Sequence, residues 1–166
     1  MRDDPLLTCR LEGGRNPRRI IIDSNAFLPL CSRILNTIHE SEIIVAVNKN
    51  AQQGRIEKLE QLGCTIIQTR DKSDRVDLKD LFRKLGKMKL TNILVEGGSK
   101  VITSIIEERL ADKVIVFIAP IIIGGEEAQS PILGKGVDTV DKAMKINEIT
   151  VKSFSHDIAI EGILEC

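Results

Sequence analysis

Two short stretches pair reactive or anion-tolerant residue types with backbone that can present them to a ligand. In Asn92-Ile93-Leu94-Val95-Glu96-Gly97-Gly98-Ser99-Lys100, an apolar run feeds a carboxylate, two glycines and then a helical pattern carrying Val101, Ile102, Ile105 and Ile106. Glycine permits close backbone approach. A helix N-terminus adds unpaired N–H donors and partial positive charge, which suits a pyrophosphate. A tight structural turn uses the same residues, and neither the spaced glycines of dinucleotide folds nor the P-loop pattern is present.

The second stretch is Ile22-Asp23-Ser24-Asn25, a carboxylate and a hydroxyl just past the apolar run Arg19-Ile20-Ile21-Ile22. Such a carboxylate holds a substrate hydroxyl, orients a cofactor or moves a proton; equally, it caps a turn. Glu96 carries the same ambiguity. If the two strands are neighbours, Asp23 and Glu96 face one crevice off their carboxyl ends, where open α/β sheets bind ligands. Gly124-Gly125, past the run ending at Ala119-Pro120, reads either as a turn or as part of a pocket lining. Arg15, Arg18 and Arg19 around Pro17 read as a solvated loop, and the charges from Lys84 to Lys89 as helix faces and ends.

Composition removes other chemistries. The 166 residues carry 24 basic and 24 acidic side chains, so no net field draws nucleic acid or anionic lipid. Aromatic residues make up 2% and include no Trp or Tyr, which disfavours base stacking. His39 and His156 are the only histidines, and Cys9, Cys31, Cys64 and Cys166 show no metal spacing, so no metal site is expected and the cysteines read as free thiols. The longest apolar run, Val114 to Ile123, contains Pro120 and is too short for a membrane span. Met1-Arg2-Asp3-Asp4-Pro5 does not open a signal peptide. The expectation is a cytoplasmic protein binding neither membrane nor nucleic acid.

The elements that must position these residues alternate. Arg19–Asp23 and 43–47 are short apolar runs of the kind buried on both faces of a parallel sheet. Ile56, Leu59 and Leu62 recur at helical spacing, Gly63 stops them, and Cys64-Thr65-Ile66-Ile67 resumes a strand. Asp77 is placed to cap a helix with Leu78, Leu81, Phe82 and Leu85 on one face, ending at Gly86 before a strand over 92–95. Val114 to Ala119 predicts a further strand, and 146–151 with 157–163 an antiparallel hairpin. The 25 isoleucines favour sheet in the core. One domain over 1–166, α/β with a mostly parallel mixed sheet, is the expectation.

In order along the chain, Asp3-Asp4-Pro5-Leu6-Leu7-Thr8, Gly14-Arg15-Asn16-Pro17 with Arg19-Ile20-Ile21-Ile22-Asp23-Ser24 and Leu28-Pro29, Leu94-Val95-Glu96-Gly97-Gly98, and Ala119-Pro120 with Gly124-Gly125 resemble the motifs of one family. It is the reductase family of riboflavin biosynthesis: the C-terminal half of bacterial RibD-type deaminase-reductases and its stand-alone archaeal and fungal relatives. The resemblance implies a dihydrofolate-reductase-like three-layer fold with a mixed, mostly parallel central sheet and a C-terminal antiparallel hairpin. It further implies NADPH as cofactor, a homodimer, and reduction of the ribosyl group of a phosphoribosylaminopyrimidine to a ribityl chain.

Carried over residue by residue, Asp23 stands beside the reacting centre and touches substrate, and Glu96 binds substrate. Ser24, Gly97, Gly98 and Ser99 contact the cofactor, the last three at its pyrophosphate, and Asp3 matches the first aspartate of a cofactor-side segment. Asn48 and Lys49, just past a strand, are candidates for the 2′-phosphate. The family carries some fifty to sixty residues ahead of the Asp-Asp-Pro segment, so the resemblance implies a domain incomplete at its N-terminus, and Phe27 stands where the family commonly has a basic residue. The competing expectations are a non-catalytic or truncated remnant acting as an oligomeric binding protein and, more distantly, a reductase acting on a pterin.

Overall fold

The computed structural model describes residues 4–125, 128 and 130–165. Its contacts divide the chain into two compact units, Met1–Asn92 and Ile93–Cys166.

The first unit is built on a three-stranded parallel sheet ordered β1-β2-β3, with β1 at Arg19–Ile22, β2 at Ile43–Val47 and β3 at Thr65–Gln68. The register pairs Ile21 with Val45 and Val45 with Ile66. All five residues of β2 are buried, as its unbroken apolar run requires. Helix α1, Gln53–Gln61, lays Ile56 and Leu59 against the core that holds Ile21, Ile43, Val45 and Val47. It ends as the sequence predicts. Gly63 has φ +95°, its N–H donates to the Glu60 carbonyl, and the Cys64 N–H donates to that of Leu59. Helix α2, Leu78–Lys87, starts on Asp77, whose Oδ1 accepts from the Asp80 N–H at 3.0 Å. It runs through Gly86 rather than ending there.

Two further local expectations meet corrections, and one element was not anticipated. A two-stranded hairpin, β4 at Asp71–Lys72 and β5 at Arg75–Val76, was not legible. Its turn residues Ser73 and Asp74 both have positive φ, the twist-matched geometry usually signalled by Asn-Gly. Arg19 is no solvated loop residue: it is 2% exposed. Its guanidinium donates to the carbonyls of Leu6, Thr37 and Ser41 and to Thr37 Oγ1, so it ties the N-terminal segment to the loop before β2. Finally, 92–95 forms no strand. No described strand pairs with it, and without a ladder partner an apolar run does not make sheet.

The second unit contains helix α3, Ser99–Glu107, and an antiparallel sheet ordered β6-β8-β7, with β6 at Lys113–Ile118, β7 at Ile146–Phe154 and β8 at Asp157–Leu164. Pro120 lies past the end of β6, and the expected late hairpin pairs Phe154 with Asp157 at its tip. Cys9, Cys31 and Cys64 are free thiols, and burial pushes the Cys64 thiol up.

Candidate functional site

The carboxyl end of the parallel sheet is closed by a layer of polar side chains, each supplied by the residues that follow a strand. After β1, Asp23 donates its N–H to the Ala46 carbonyl, and its Oδ2 accepts from the Leu28 N–H at 2.6 Å. Arg55 supports that loop from α1, donating to the carbonyls of Ala26 and Leu28. One oxygen of Asp23 therefore caps its own loop. Oδ1 makes no hydrogen bond among the described residues, and the side chain is half-buried, so a fixed carboxylate presents one oxygen outward.

Ser24 Oγ accepts from the Val76 N–H at 3.2 Å, and the Ser24 carbonyl accepts from the Asn48 N–H. After β2, Asn48 is fully buried: Nδ2 donates to the Asp74 carbonyl at 2.9 Å and Oδ1 accepts from the Asn50 N–H at 2.8 Å. Asn48 is thus spent on holding the β4-β5 hairpin and is unsuited to an incoming phosphate, whereas Lys49 is exposed.

After β3, Thr69 Oγ1 accepts from the Asp77 N–H, and the Arg70 N–H donates to Asp80 Oδ2 at 3.1 Å. Asp80 is 1% exposed and is met by three cations. Arg83 donates to Oδ1, Lys84 Nζ lies 3.3 Å from Oδ2, and Arg70 Nε lies 3.7 Å from Oδ1. Burial alone raises the Asp80 carboxyl, but the hydrogen bonds from Arg70, Lys84 and Arg83 outweigh it and hold the group below the ordinary carboxylate range. This cluster was missed in the sequence. Its one signal is the spacing of Arg83 and Lys84, three and four positions after Asp80 on a helix.

In the second unit, Glu96 and Gly97 are exposed, and Gly98 opens α3 with φ +73°. The Gly98 carbonyl accepts from the N–H groups of Val101 and Ile102. Among the described residues no side chain caps the helix and nothing accepts from the N–H groups of Ser99 and Lys100, which leaves them open to an anion. A Cβ at Gly97 would meet nothing within 4 Å among the described residues. Gly124 and Gly125 both take positive φ, as a turn demands. Asp23 and Ser24 thus belong to the first unit, and Glu96, Gly97, Gly98 and Ser99 to the second; Asp3 lies outside the described residues. Among the described residues, no cluster of three or more His, Cys, Asp or Glu is arranged for a metal ion, and no helix is long and apolar enough to cross a membrane.

A family model described as the RibD C-terminal domain matches residues 1–160. The riboflavin biosynthesis protein RibD of Actinobacillus pleuropneumoniae is 32% identical over 162 residues, covering 98% of this chain and 43% of that protein. The 2,5-diamino-6-ribosylamino-4(3H)-pyrimidinone 5′-phosphate reductase of Methanothermobacter thermautotrophicus is 32% identical, covering 96% of this chain and 73% of that protein. A corresponding reductase from Aquifex aeolicus is 34% identical, with 58% of its length covered. The chain thus spans about half the length of the first of these curated relatives. Among solved structures, RibD of Acinetobacter baumannii superposes with a TM-score of 0.79 at 22% identity, over 99% of this chain and 44% of that one. The architecture is accordingly dihydrofolate-reductase-like, as expected.

Proposed function

The chain belongs to the RibD C-terminal domain family, and from that premise we propose that it reduces the ribosyl group of a phosphoribosylaminopyrimidine to a ribityl group with NADPH. The observation that carries the reading is the uncapped start of α3 after Gly98, a backbone cradle that fits a dinucleotide's pyrophosphate. The names of the Methanothermobacter and Aquifex relatives support the substrate class.

When bound, the cofactor would supply a hydride for C1′ of the opened sugar. The residues of this chain bind and orient. The N–H groups of Ser99 and Lys100 hold the pyrophosphate, and the glycines at 97 and 98 leave room for it. Asp23, anchored through Oδ2 on the Leu28 N–H, offers Oδ1 to the ribose hydroxyls or to the proton that moves as the sugar opens. Glu96 accepts hydrogen bonds from substrate. Ser24 retains a hydroxyl proton to donate to the cofactor while its oxygen holds Val76. The reading includes a cytoplasmic homodimer, which would bury apolar residues such as Phe117, Ile118, Val151 and Phe154 that β6 and β7 leave exposed.

Fluorescence titration with NADPH, followed by turnover of the phosphoribosylaminopyrimidine monitored by loss of nicotinamide absorbance, tests this function. Saturable binding and ribityl product are expected. No binding at millimolar NADPH would refute it in favour of a non-catalytic binding protein.

A further inference from the structure

We propose that Arg70, Arg83 and Lys84, gathered on the buried Asp80 at the carboxyl end of β3, form a binding site for a phosphate monoester. The argument is one of charge. A carboxylate that is 1% exposed needs one cation for neutrality, and three converge on Asp80, leaving two positive charges in excess. Among the described side chains, Asp77 and Asp74 form no ion pair with these cations: Asp77 Oδ1 accepts from the Asp80 N–H and Asp74 Oδ1 from Asn50 Nδ2. A phosphate monoester carries about −1.5 to −2 at neutral pH, a match for the surplus.

The donors are also free to serve it. Arg83 Nη2 is committed to Asp80, while its Nε and Nη1 make no hydrogen bond among the described residues. The Arg70 guanidinium pairs with Asp80 only at 3.7 Å, beyond hydrogen-bond range, and its side chain is 67% exposed. Lys84 Nζ donates to the Gln68 carbonyl and pairs with Asp80, which pins it beside the other two. Asp80 thus acts as a buried anchor that holds the Arg83 and Lys84 heads beside Arg70, lowering the entropy lost when an anion arrives. The position, two residues beyond β3, is where ligands of an open parallel sheet gather.

The identity of the anion, unlike its charge, rests on the proposed function, which supplies two sources: the 2′-phosphate that distinguishes NADPH from NADH, and the 5′-phosphate of the substrate. The full chain and its Arg70→Gln and Arg83→Gln variants would be titrated with NADPH, NADH, adenosine 2′-phosphate and ribose 5-phosphate, with thermal midpoints measured alongside. A cofactor source predicts that both variants weaken NADPH and adenosine 2′-phosphate about ten-fold or more and leave NADH unchanged, Arg83→Lys lying between because it keeps charge but loses the fork. A substrate source predicts the same loss for ribose 5-phosphate.

Unchanged affinity for both phosphate probes in the folded variants would overturn the site, as would equal weakening of NADPH and NADH, or wild-type protein that binds neither probe. The Arg70 side chain makes no hydrogen bond among the described residues, so Arg70→Gln keeps the test open if Arg83→Gln fails to fold. Failure of wild-type protein to bind either dinucleotide would refute the proposed function, while ribose 5-phosphate would still decide the anion site.

Discussion

Ser24 Oγ and the Val76 N–H meet at 3.2 Å across 52 positions of sequence, joining the carboxyl end of β1 to the hairpin that follows β3. Ser24→Ala removes that acceptor and leaves the Val76 N–H without it. The expected cost is about 1 kcal/mol in urea unfolding. An unchanged midpoint would show the bond to be dispensable. NADPH affinity measured on the same variant separates Ser24's structural role from its proposed cofactor contact.

Asp23→Asn keeps an oxygen able to accept from the Leu28 N–H, so the loop is expected to survive while the charge is lost. Turnover should fall by about 100-fold or more, the usual contribution of a positioned acid or base, with NADPH affinity and thermal midpoint little changed. Wild-type turnover in this variant would remove Asp23 from the chemistry.

Gly98→Val bears on the cradle through backbone conformation. Its φ of +73° costs a β-branched residue roughly 1–2 kcal/mol, whereas an added Cβ would meet only Val101 Cγ2, at an ordinary 3.8 Å. The start of α3 should shift and NADPH binding should weaken. A Gly97→Ala control, where a Cβ meets nothing within 4 Å of protein, should leave stability nearly unchanged and weaken NADPH only if the pyrophosphate approaches there.

Asp80 makes stability depend on acid. Its folded-state proton affinity is lowered, so its contribution is complete above the unfolded carboxylate value of about 3.9 and is lost as pH falls through the lower folded value. Urea midpoints of the wild type should therefore drop below about pH 4. Asp80→Asn should cost about 1–3 kcal/mol at neutral pH and flatten part of that acid limb. Parallel acid limbs would assign the drop to other carboxylates.

Local rules made much of the first unit legible. The apolar run 43–47, the stop at Gly63 and the cap at Asp77 depend on neighbours a few positions away, and each occurs as read. The glycine turn before α3 was legible for the same reason. Tertiary structure decided what depends on distant partners. The run at 92–95 has strand chemistry but no described strand beside it, and Arg19 looks like a surface cation until the carbonyls of Leu6, Thr37 and Ser41 surround it. Only the folded chain spends Asn48 on a hairpin and brings Arg70 to Asp80, ten positions away across a strand end and a turn. Periodicity and capping are written in adjacent residues, whereas satisfaction of a buried polar group depends on whichever segment arrives to pair with it.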